Sequence, residues 1–332
     1  MIKSDVIIVG GGPAGSSCAW QLKRNGADCI ILEKKKFPRT KLCAGWITPK
    51  VLHDLELNIS DYPHKILTFP GLHVSVHGFK FKAPTSQHSI RRYEFDHWLL
   101  QRSKTKVYTH DVKIIKQKVE GYYIDDKFQS KYLVGAAGTF CPVYLTFFQG
   151  CNPRAKENLI VTLEEEFEYN YSDNNCYLWF LENDLPGYSW YVPKENGFLN
   201  VGIGGSADKL KKKNQNIKMH WEYLIQKLNN QVLVKNHSFK PKGCSYYHRD
   251  NVRDVQNEDA YIIGDAAGLA TLDMGEGIGP AIESGILAAN AILNGEQYTV
   301  ESILKYSIKY RSVIKLLDIF LKFRRIKNKN SN

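Results

Sequence analysis

The sequence lacks the features by which several protein classes are recognised. None of its seven cysteines forms a C-x-x-C pair, which argues against a zinc site or a disulfide framework and predicts reduced thiols. No apolar run reaches the ~18 residues that a membrane-spanning helix needs. No Walker loop, Ser/His/Asp arrangement, paired-carboxylate motif or internal repeat stands out. We therefore expect a cytoplasmic protein, without a signal peptide before its first strand.

The composition is that of a globular protein with a strong basic excess. The 332 residues are 43% hydrophobic, enough for a large core in about two domains. The formal net charge of +11 is compatible with nucleic acid, an anionic membrane surface, an anionic substrate or simply a Lys-rich background. Nucleic acid is disfavoured because no known binding module is legible.

The first motif opens the chain. An apolar, β-branched strand at residues 5–9 leads into G-x-G-x-x-G at Gly10, Gly12 and Gly15. In this pattern the first glycine makes a tight turn, the second admits a pyrophosphate and the third packs helix against strand. A helix is predicted over residues 14–23, with its N-terminal amides free to bind phosphates.

An acidic residue follows at the expected distance. A second predicted strand, residues 28–32, ends at Glu33, about twenty positions after the glycines, where a carboxylate binds ribose hydroxyls. A carboxylate there would repel a 2′-phosphate. The motif therefore predicts a dinucleotide without that group.

A second motif lies near the end of the chain, in residues 261–292. An apolar run ends at Gly264-Asp265, and a Gly-rich turn at residues 275–279 precedes an Ala-rich helical stretch. A nicotinamide dehydrogenase has no use for a second strand and turn of this kind. A flavoprotein needs one to hold the ribityl chain and the flavin ring, so the two motifs together indicate FAD.

Five segments carry a family resemblance: DVIIVGGGPAGSSCAWQLKRNG with LEK, KLCAGWITP, RRYEFDHWLL, IIGDAAGLATLDMGEGIGPAIESG and, more weakly, YSWYVPKENGFLNVGIGG. With them the chain resembles the flavoproteins of the para-hydroxybenzoate hydroxylase fold, and most of all their geranylgeranyl-reductase-like branch. The resemblance implies an α/β protein with a Rossmann-type FAD domain and a mixed or antiparallel β-sheet substrate domain.

The resemblance also implies cofactor contacts. Asp265 would bind the ribityl chain, and the Gly277 and Ile278 amides would face the flavin N1 and O2 edge. Arg92 would reach the cofactor from a helix over residues 93–103, and Val112, on the next strand, would meet the adenine. The implied cofactor-binding residues are Gly10, Gly12, Pro13, Ala14, Gly15, Glu33, Lys34, Cys43, Ala44, Gly45, Arg92, Val112, Gly138, Gly264, Asp265, Gly275, Gly277 and Ile278.

Two positions depart from the fold's usual pattern. Ala137 stands where an Asp commonly precedes Gly138, and Tyr144 stands where an Arg commonly follows. That Asp helps to hold the cofactor and is implicated in the use of NAD(P)H. Direct reduction by NAD(P)H is therefore in doubt, and a carrier protein or a free reduced flavin is an alternative electron donor.

The middle of the chain predicts strands at residues 73–81, 160–169, 176–181, 189–192 and 198–203, with Asn196-Gly197 as a hairpin turn. In the fold that the chain resembles, such a sheet roofs the substrate cavity. Its aromatic residues would face either a core or an apolar ligand; they are Tyr177, Trp179, Tyr188, Trp190 and Tyr191. His73 and His77 alternate onto one strand face, but no further ligand is spaced for a metal, so none is expected.

The catalytic residues are not legible, and three candidates remain: Cys43, Trp190 and Tyr188. Cys43 would be a redox partner, an acid or an inert packing residue beside the flavin.

We expect a discontinuous FAD domain at residues 1–70, 90–150 and 245–295, and a substrate sheet at residues 71–89 and 151–244. A C-terminal helix and basic tail would span residues 296–332. Its polar stripe is mostly basic, so the helix would pack on the body or touch a membrane surface or a partner protein. The stripe contains Arg311, Lys315, Asp318, Lys322 and Arg325.

Three functions remain open. The first is a reductase that saturates carbon–carbon double bonds of an apolar substrate. The second is a monooxygenase, including one that acts on a peptide or partner protein, with a halogenase ranked lower because Tyr188 replaces the first Trp of the W-x-W-x-I-P pattern. The third is a flavin-binding partner protein without turnover, which Ala137 keeps open.

Overall fold

A computed structural model describes residues 1–250 and 252–307, and in them eighteen strands and seven α-helices. The strands are β1 (Ile2–Val9), β2 (Cys29–Glu33), β3 (Trp46–Ile47), β4 (Leu67–Thr68), β5 (Leu72–Val76), β6 (Phe79–Ala83), β7 (His88–Ser89), β8 (Lys106–Thr109), β9 (Ile115–Lys118), β10 (Gly121–Ile124), β11 (Phe128–Gly135), β12 (Leu159–Glu168), β13 (Cys176–Phe180), β14 (Gly187–Lys194), β15 (Phe198–Ser206), β16 (Lys242–Tyr247), β17 (Gln256–Asn257) and β18 (Ala260–Ile262). The helices are α1 (Pro13–Arg24), α2 (Pro49–Asp54), α3 (Arg92–Arg102), α4 (Pro142–Phe147), α5 (Ala207–Lys212), α6 (Ile217–Asn230) and α7 (Ile278–Asn294).

An eight-stranded sheet carries both terminal motifs. Its main order is β17-β18-β11-β1-β2-β8, with parallel pairing from β18 through β8, and β9 and β10 attach to β11 as an antiparallel meander. β1 and β2 are buried where they pair, which is why both are apolar and rich in isoleucine and valine. Helix α1 packs on α7, where Gly285 leaves no room for a side chain against the Ala14 carbonyl. The two motifs, far apart in sequence, are therefore neighbours.

A seven-stranded sheet forms the second layer, in the order β16-β12-β15-β14-β13-β5-β6. Its neighbours are antiparallel except β5 and β13, which are parallel. One face packs against α6 through a core that includes Tyr191, Val201 and Trp221. The opposite face, with Leu178 and Trp190, packs in a cluster with Phe69 and Trp46. A cavity lies between this face and the carboxyl ends of β1 and β18.

The predicted strand at residues 73–81 is wrong in detail. The chain forms two strands, β5 and β6, joined at His77-Gly78, where both residues have positive φ (48° and 85°). His77 therefore lies in a turn and does not share a strand face with His73. The predicted turn at Asn196-Gly197 is confirmed, with φ of 62° and 70° between β14 and β15.

Several predicted ends of strands, helices and domains differ from those in the structure. Strand β16 continues the second sheet to Tyr247, beyond the limit expected at residue 244. Helix α3 begins at Arg92, and Val112 lies in the loop after β8 rather than on a strand. Residues 296–307 form turns and irregular chain, not the start of a helix, and the rest of the predicted C-terminal helix and tail lies outside the described residues. In the ranges described, no helix combines the length and apolar character needed to cross a bilayer.

Candidate functional site

The loop between β1 and α1 is shaped by two glycines that no other residue fits. Gly10 has φ of +111°, and a Cβ on it would lie 2.5 Å from the Ala136 carbonyl oxygen. A Cβ on Gly15 would overlap the Gly10 carbonyl oxygen. Gly12 is the N-cap of α1 and Pro13 its first residue, so the free amides at the helix N-terminus open onto the cavity. This is the geometry of a phosphate-binding turn.

Glu33 supports this loop. Its carboxylate is 7% exposed and accepts hydrogen bonds from the Gly11 amide (2.8 Å) and the Lys35 amide (2.9 Å). A carboxylate has about four lone-pair sites, so acceptor capacity remains for a ribose hydroxyl. Lys34 and Val112 line the same end of the cavity. The ribose contact predicted for Glu33 is compatible with this arrangement, and the carboxylate also holds the glycine loop in place.

A buried ion cluster lies beside the loop and was only partly predicted. Arg92 donates to both Asp96 oxygens (2.6 and 2.8 Å), and Arg39 lies 3.2 Å from the same carboxylate. Burial opposes the charge on Arg92, but Asp96 and the adjacent Cys43 thiol raise its pKa overall. Arg92 thus lines the cavity, but two of its guanidinium nitrogens already donate hydrogen bonds to Asp96. Arg39, which sequence analysis missed inside a basic run, comes close to Gly12 and is the more available cation.

The Cys43-Ala44-Gly45 segment is fixed from the second sheet. Gly45 has φ of +67°, and a Cβ there would overlap the Ile90 carbonyl oxygen. The ammonium of Lys194, 1% exposed, donates to the carbonyls of Ala44 (2.6 Å) and Ile90 (2.7 Å). Burial lowers the pKa of Lys194. This lysine, which sequence analysis also missed, anchors the loop that the family resemblance places beside the flavin.

The Gly264-Asp265 motif and the start of α7 form the far side of the cavity. Gly264 (φ +59°) begins a 3₁₀ turn directly after β18, and its amide donates to Ser284 of α7. The Asp265 carboxylate faces Gly277, the N-cap of α7: a Cβ on that glycine would lie 3.3 Å from Oδ1. The first amides of α7, including that of Ile278, have no partner within the helix. Such free amides suit an anion, and the arrangement is compatible with the role predicted for them at the reduced flavin edge.

Two further loops close around this turn. Gly275 (φ +60°) leaves no room for a Cβ beside the Tyr246 hydroxyl, and Gly138 (φ +81°) follows Ala137 on the cavity wall. Arg154 donates to the carbonyl oxygens of Asp265 (3.2 Å) and Ala266 (2.8 Å) and to that of Thr139. Its guanidinium lies 3.8 Å from the centre of the Tyr144 ring. Arg154 therefore ties the two loops together while its guanidinium packs on Tyr144.

The catalytic candidates are brought together, but two have committed polar atoms. Tyr188 and Trp190 line the cavity, whereas Tyr177, Trp179 and Tyr191 belong to the core beneath the sheet. The Tyr188 hydroxyl donates to the Met274 carbonyl (2.6 Å), and the Trp190 indole donates to Asn200 Oδ1 (2.7 Å). Cys43 also lines the cavity, where its sulfur accepts the Gly45 amide at 3.4 Å.

Two buried carboxyls in the cavity wall were not predicted. Burial raises the pKa of Glu164 to about 8, against the opposing effect of Lys194 and Lys41. Burial likewise raises the pKa of Glu276 to about 7, although its Oε1 accepts the Gly279 amide at 2.6 Å. Neither residue belongs to a sequence motif that points to acid chemistry, because only the folded sheet desolvates them. Perturbed carboxyls in a cleft are candidates for function.

The cavity measures about 2640 Å³. Ordinary small-molecule pockets measure about 300–1,000 Å³, so this one has room for a dinucleotide and a substrate together. The residues present fit FAD: a side-chain-free phosphate turn, an acidic ribose position and a helix N-terminus for the flavin. The described residues contain no group of three or more His, Cys, Asp or Glu side chains suited to hold a metal ion.

Comparisons with known proteins agree with this geometry. Residues 5–102 match the model of the FAD dependent oxidoreductase family. A digeranylgeranylglycerophospholipid reductase of Methanosphaera stadtmanae is 25% identical over 92% of this chain and 82% of its own length. A menaquinone reductase of Mycolicibacterium smegmatis is 24% identical over 88% of this chain and 77% of its own length.

Among solved structures, a geranylgeranyl bacteriochlorophyll reductase-like protein from Thermoplasma acidophilum has a TM-score of 0.71. It is 19% identical, over 89% of this chain and 80% of that one, which supports the fold alone. The family match over residues 5–102, the reductase relatives and the layout of the cavity agree with an FAD-dependent oxidoreductase, and the fold is that of the para-hydroxybenzoate hydroxylase flavoproteins.

Proposed function

We propose that this protein saturates carbon–carbon double bonds in an apolar, isoprenoid-type chain, as the names of its reductase relatives suggest. The observation that carries the proposal is the apolar sheet face, which borders the same cavity as the cofactor loops. Apolar side chains of this kind suit a long hydrocarbon. The apolar lining residues of this face are Leu72, Val74, Phe81, Leu178, Phe180 and Trp190.

The protein's own residues would position the substrate's hydrocarbon chain and exclude water. FAD, when bound, would supply a hydride to one carbon of the double bond. Trp190 and Tyr188, with their polar atoms satisfied within the protein, present ring faces to the chain. Basic residues at one mouth of the cavity, Lys209, Lys212 and Lys213, suit an anionic head group. We also propose peripheral contact with a membrane, because such substrates reside there.

The test is anaerobic incubation of the holoprotein with chemically reduced flavin and a digeranylgeranylglycerophospholipid or menaquinone in detergent micelles. Mass spectrometry is expected to show the gain of two hydrogens for each saturated bond. Substrate-dependent uptake of oxygen in air, with an added oxygen atom in the product, would instead make the protein a monooxygenase. Flavin that stays reduced with every substrate, with and without oxygen, would contradict both reactions.

The electron donor is a separate proposal, and it depends on Ala137. We expect Ala137→Asp to increase the rate of flavin reduction by NADPH about tenfold, the value of one added charged hydrogen bond. Anaerobic stopped-flow absorbance measures the bleaching of the flavin. Ala137→Asn is the matched control, because it adds similar bulk without charge. An unchanged rate in Ala137→Asp would mean that the missing carboxylate is not what limits the use of a nicotinamide.

A further inference from the structure

Glu164 is a carboxyl that the protein has buried without a partner. It lies on β12, opposite Gly202 of β15, on the sheet face that borders the cavity. The residue is 2% exposed, and its Oε1 has no hydrogen-bond partner within the described chain. Gly202 makes room for it: a Cβ there would lie 2.8 Å from Glu164 Cβ and would overlap the indole of Trp190. A buried polar atom without a partner is costly, so its presence in a cavity wall points to a role with a ligand.

The surroundings of Glu164 favour its protonated, neutral form. They also include a cation that would stabilise the carboxylate after the proton has left. An unpaired carboxylate in an apolar wall costs several kcal/mol, so the group retains its proton. The nearest buried cation, Lys194, is engaged by the Ala44 and Ile90 carbonyls and lies 3.7 Å from Glu166. Its field still reaches Glu164 and would stabilise the charge left after proton loss. The charged or titratable groups facing Glu164 are Lys194 and Tyr188 of β14, Glu166 of β12, Arg92 of α3, Cys244 of β16, and Lys41 of the loop before β3.

We propose that Glu164 is the acid that protonates the substrate. This inference rests on the proposed double-bond reduction. FAD, when bound and reduced, would supply a hydride to one carbon; the π bond would break, and its electron pair would form a new bond from the other carbon to the proton of the Glu164 carboxyl. The O–H bond breaks, the carboxylate remains, and solvent restores the proton after product release.

The other acids of the wall fit this task less well. Oε1 of Glu276 accepts a hydrogen bond from the Gly279 amide, so this carboxyl is engaged at the N-terminus of α7. The Tyr188 hydroxyl already donates a hydrogen bond to the Met274 carbonyl, and the Cys43 sulfur accepts a hydrogen bond from the Gly45 amide. Burial places the pKa of Glu164 at about 8, close to a working pH, where a general acid is most effective.

Glu164→Gln, which keeps the shape and removes the acid, tests the role. Turnover per bound flavin is expected to fall by about 10²- to 10⁴-fold, the usual contribution of a general acid. In anaerobic stopped flow, dithionite should reduce the flavin at the wild-type rate, and only its reoxidation by a digeranylgeranylglycerophospholipid should slow. Glu165→Gln, on the opposite face of β12, is the matched control, and its turnover is expected to stay near that of the wild type.

A second readout needs no turnover. Because the folded-state pKa of Glu164 is raised, the folded protein holds a proton that the unfolded chain releases above about pH 4.5, and stability from this residue declines until about pH 8. The melting temperature of oxidised wild type minus that of Glu164→Gln should therefore fall between these limits. A difference that does not change with pH would show an ionised carboxyl and overturn the inference.

The remaining outcomes separate the two proposals. Full turnover in Glu164→Gln would overturn the inference while leaving double-bond reduction in place. Slowed reduction of the flavin itself would assign Glu164 to the cofactor and also overturn it. If the wild type reduces no double bond, the proposed function fails, and the role of Glu164 as a donor to carbon fails with it.

Discussion

Purified Asp265→Ala protein is expected to retain its fold and to lose most of its FAD. The carboxylate lies beside the N-cap of α7 in the cavity wall, where a ribityl hydroxyl would donate to it. A hydrogen bond to a charged group contributes about 1.5–3 kcal/mol, so the affinity for FAD should fall by about 10- to 100-fold. The backbone of the turn is held separately, because Arg154 donates to the Asp265 carbonyl. Removal of the side chain should therefore spare the turn.

The measurement is the flavin absorbance per protein after purification, with circular dichroism as the check on folding. Asp208→Ala is the control, because that carboxylate pairs at the protein surface with Lys212, away from the cofactor loops. Asp265→Asn keeps an acceptor oxygen and should show intermediate occupancy. Full flavin content in Asp265→Ala would place the ribityl chain elsewhere and would contradict the assignment of this side of the cavity.

The sequence predicted those parts of the fold and site that depend on local chain geometry. Gly10 is required by its φ of +111° and Gly15 by its approach to the Gly10 carbonyl, and both constraints lie within one β-turn-α unit, so a short motif reports them. The same holds for the strand, turn and helix around Asp265. The hairpin at Asn196-Gly197 was legible because two consecutive positive φ angles favour these residue types.

The residues that sequence analysis missed act across the two sheets. Lys194 is a surface lysine by composition and becomes the anchor of the Cys43–Gly45 loop only when β14 packs against it. Arg154 joins the Thr139 and Asp265 loops from a third segment of the chain. Glu164 looks like one of three consecutive acids on a strand, and only the register opposite Gly202 separates it from its half-buried neighbours. Such roles depend on contacts between distant segments of the chain, and these contacts leave no periodic pattern in a single sequence.

Gly15→Ala is expected to destabilise the protein, although alanine is the better helix former. Helix propensity alone would favour the change by about 1 kcal/mol, because Gly15 lies inside α1. The new Cβ, however, would overlap the Gly10 carbonyl oxygen and lie 3.2 Å from Ala136 Cβ. Gly10 cannot move away from the new methyl group, because its own Cα, at φ of +111°, already lies against the Ala136 carbonyl. Overpacking against the Gly10 carbonyl and the Ala136 methyl group should lower the free energy of unfolding by about 3 kcal/mol.

Urea denaturation measures this loss, and Gly150→Ala is the matched control because no atom lies within 4 Å of its added Cβ. The control should remain within about 0.5 kcal/mol of the wild type. Equal stability of the two variants would contradict the close approach of α1 to β1. A Gly15→Ala protein that is stable yet lacks FAD would show that the turn can widen but that the pyrophosphate cannot follow it. The glycine would then serve the cofactor rather than the packing of helix on strand.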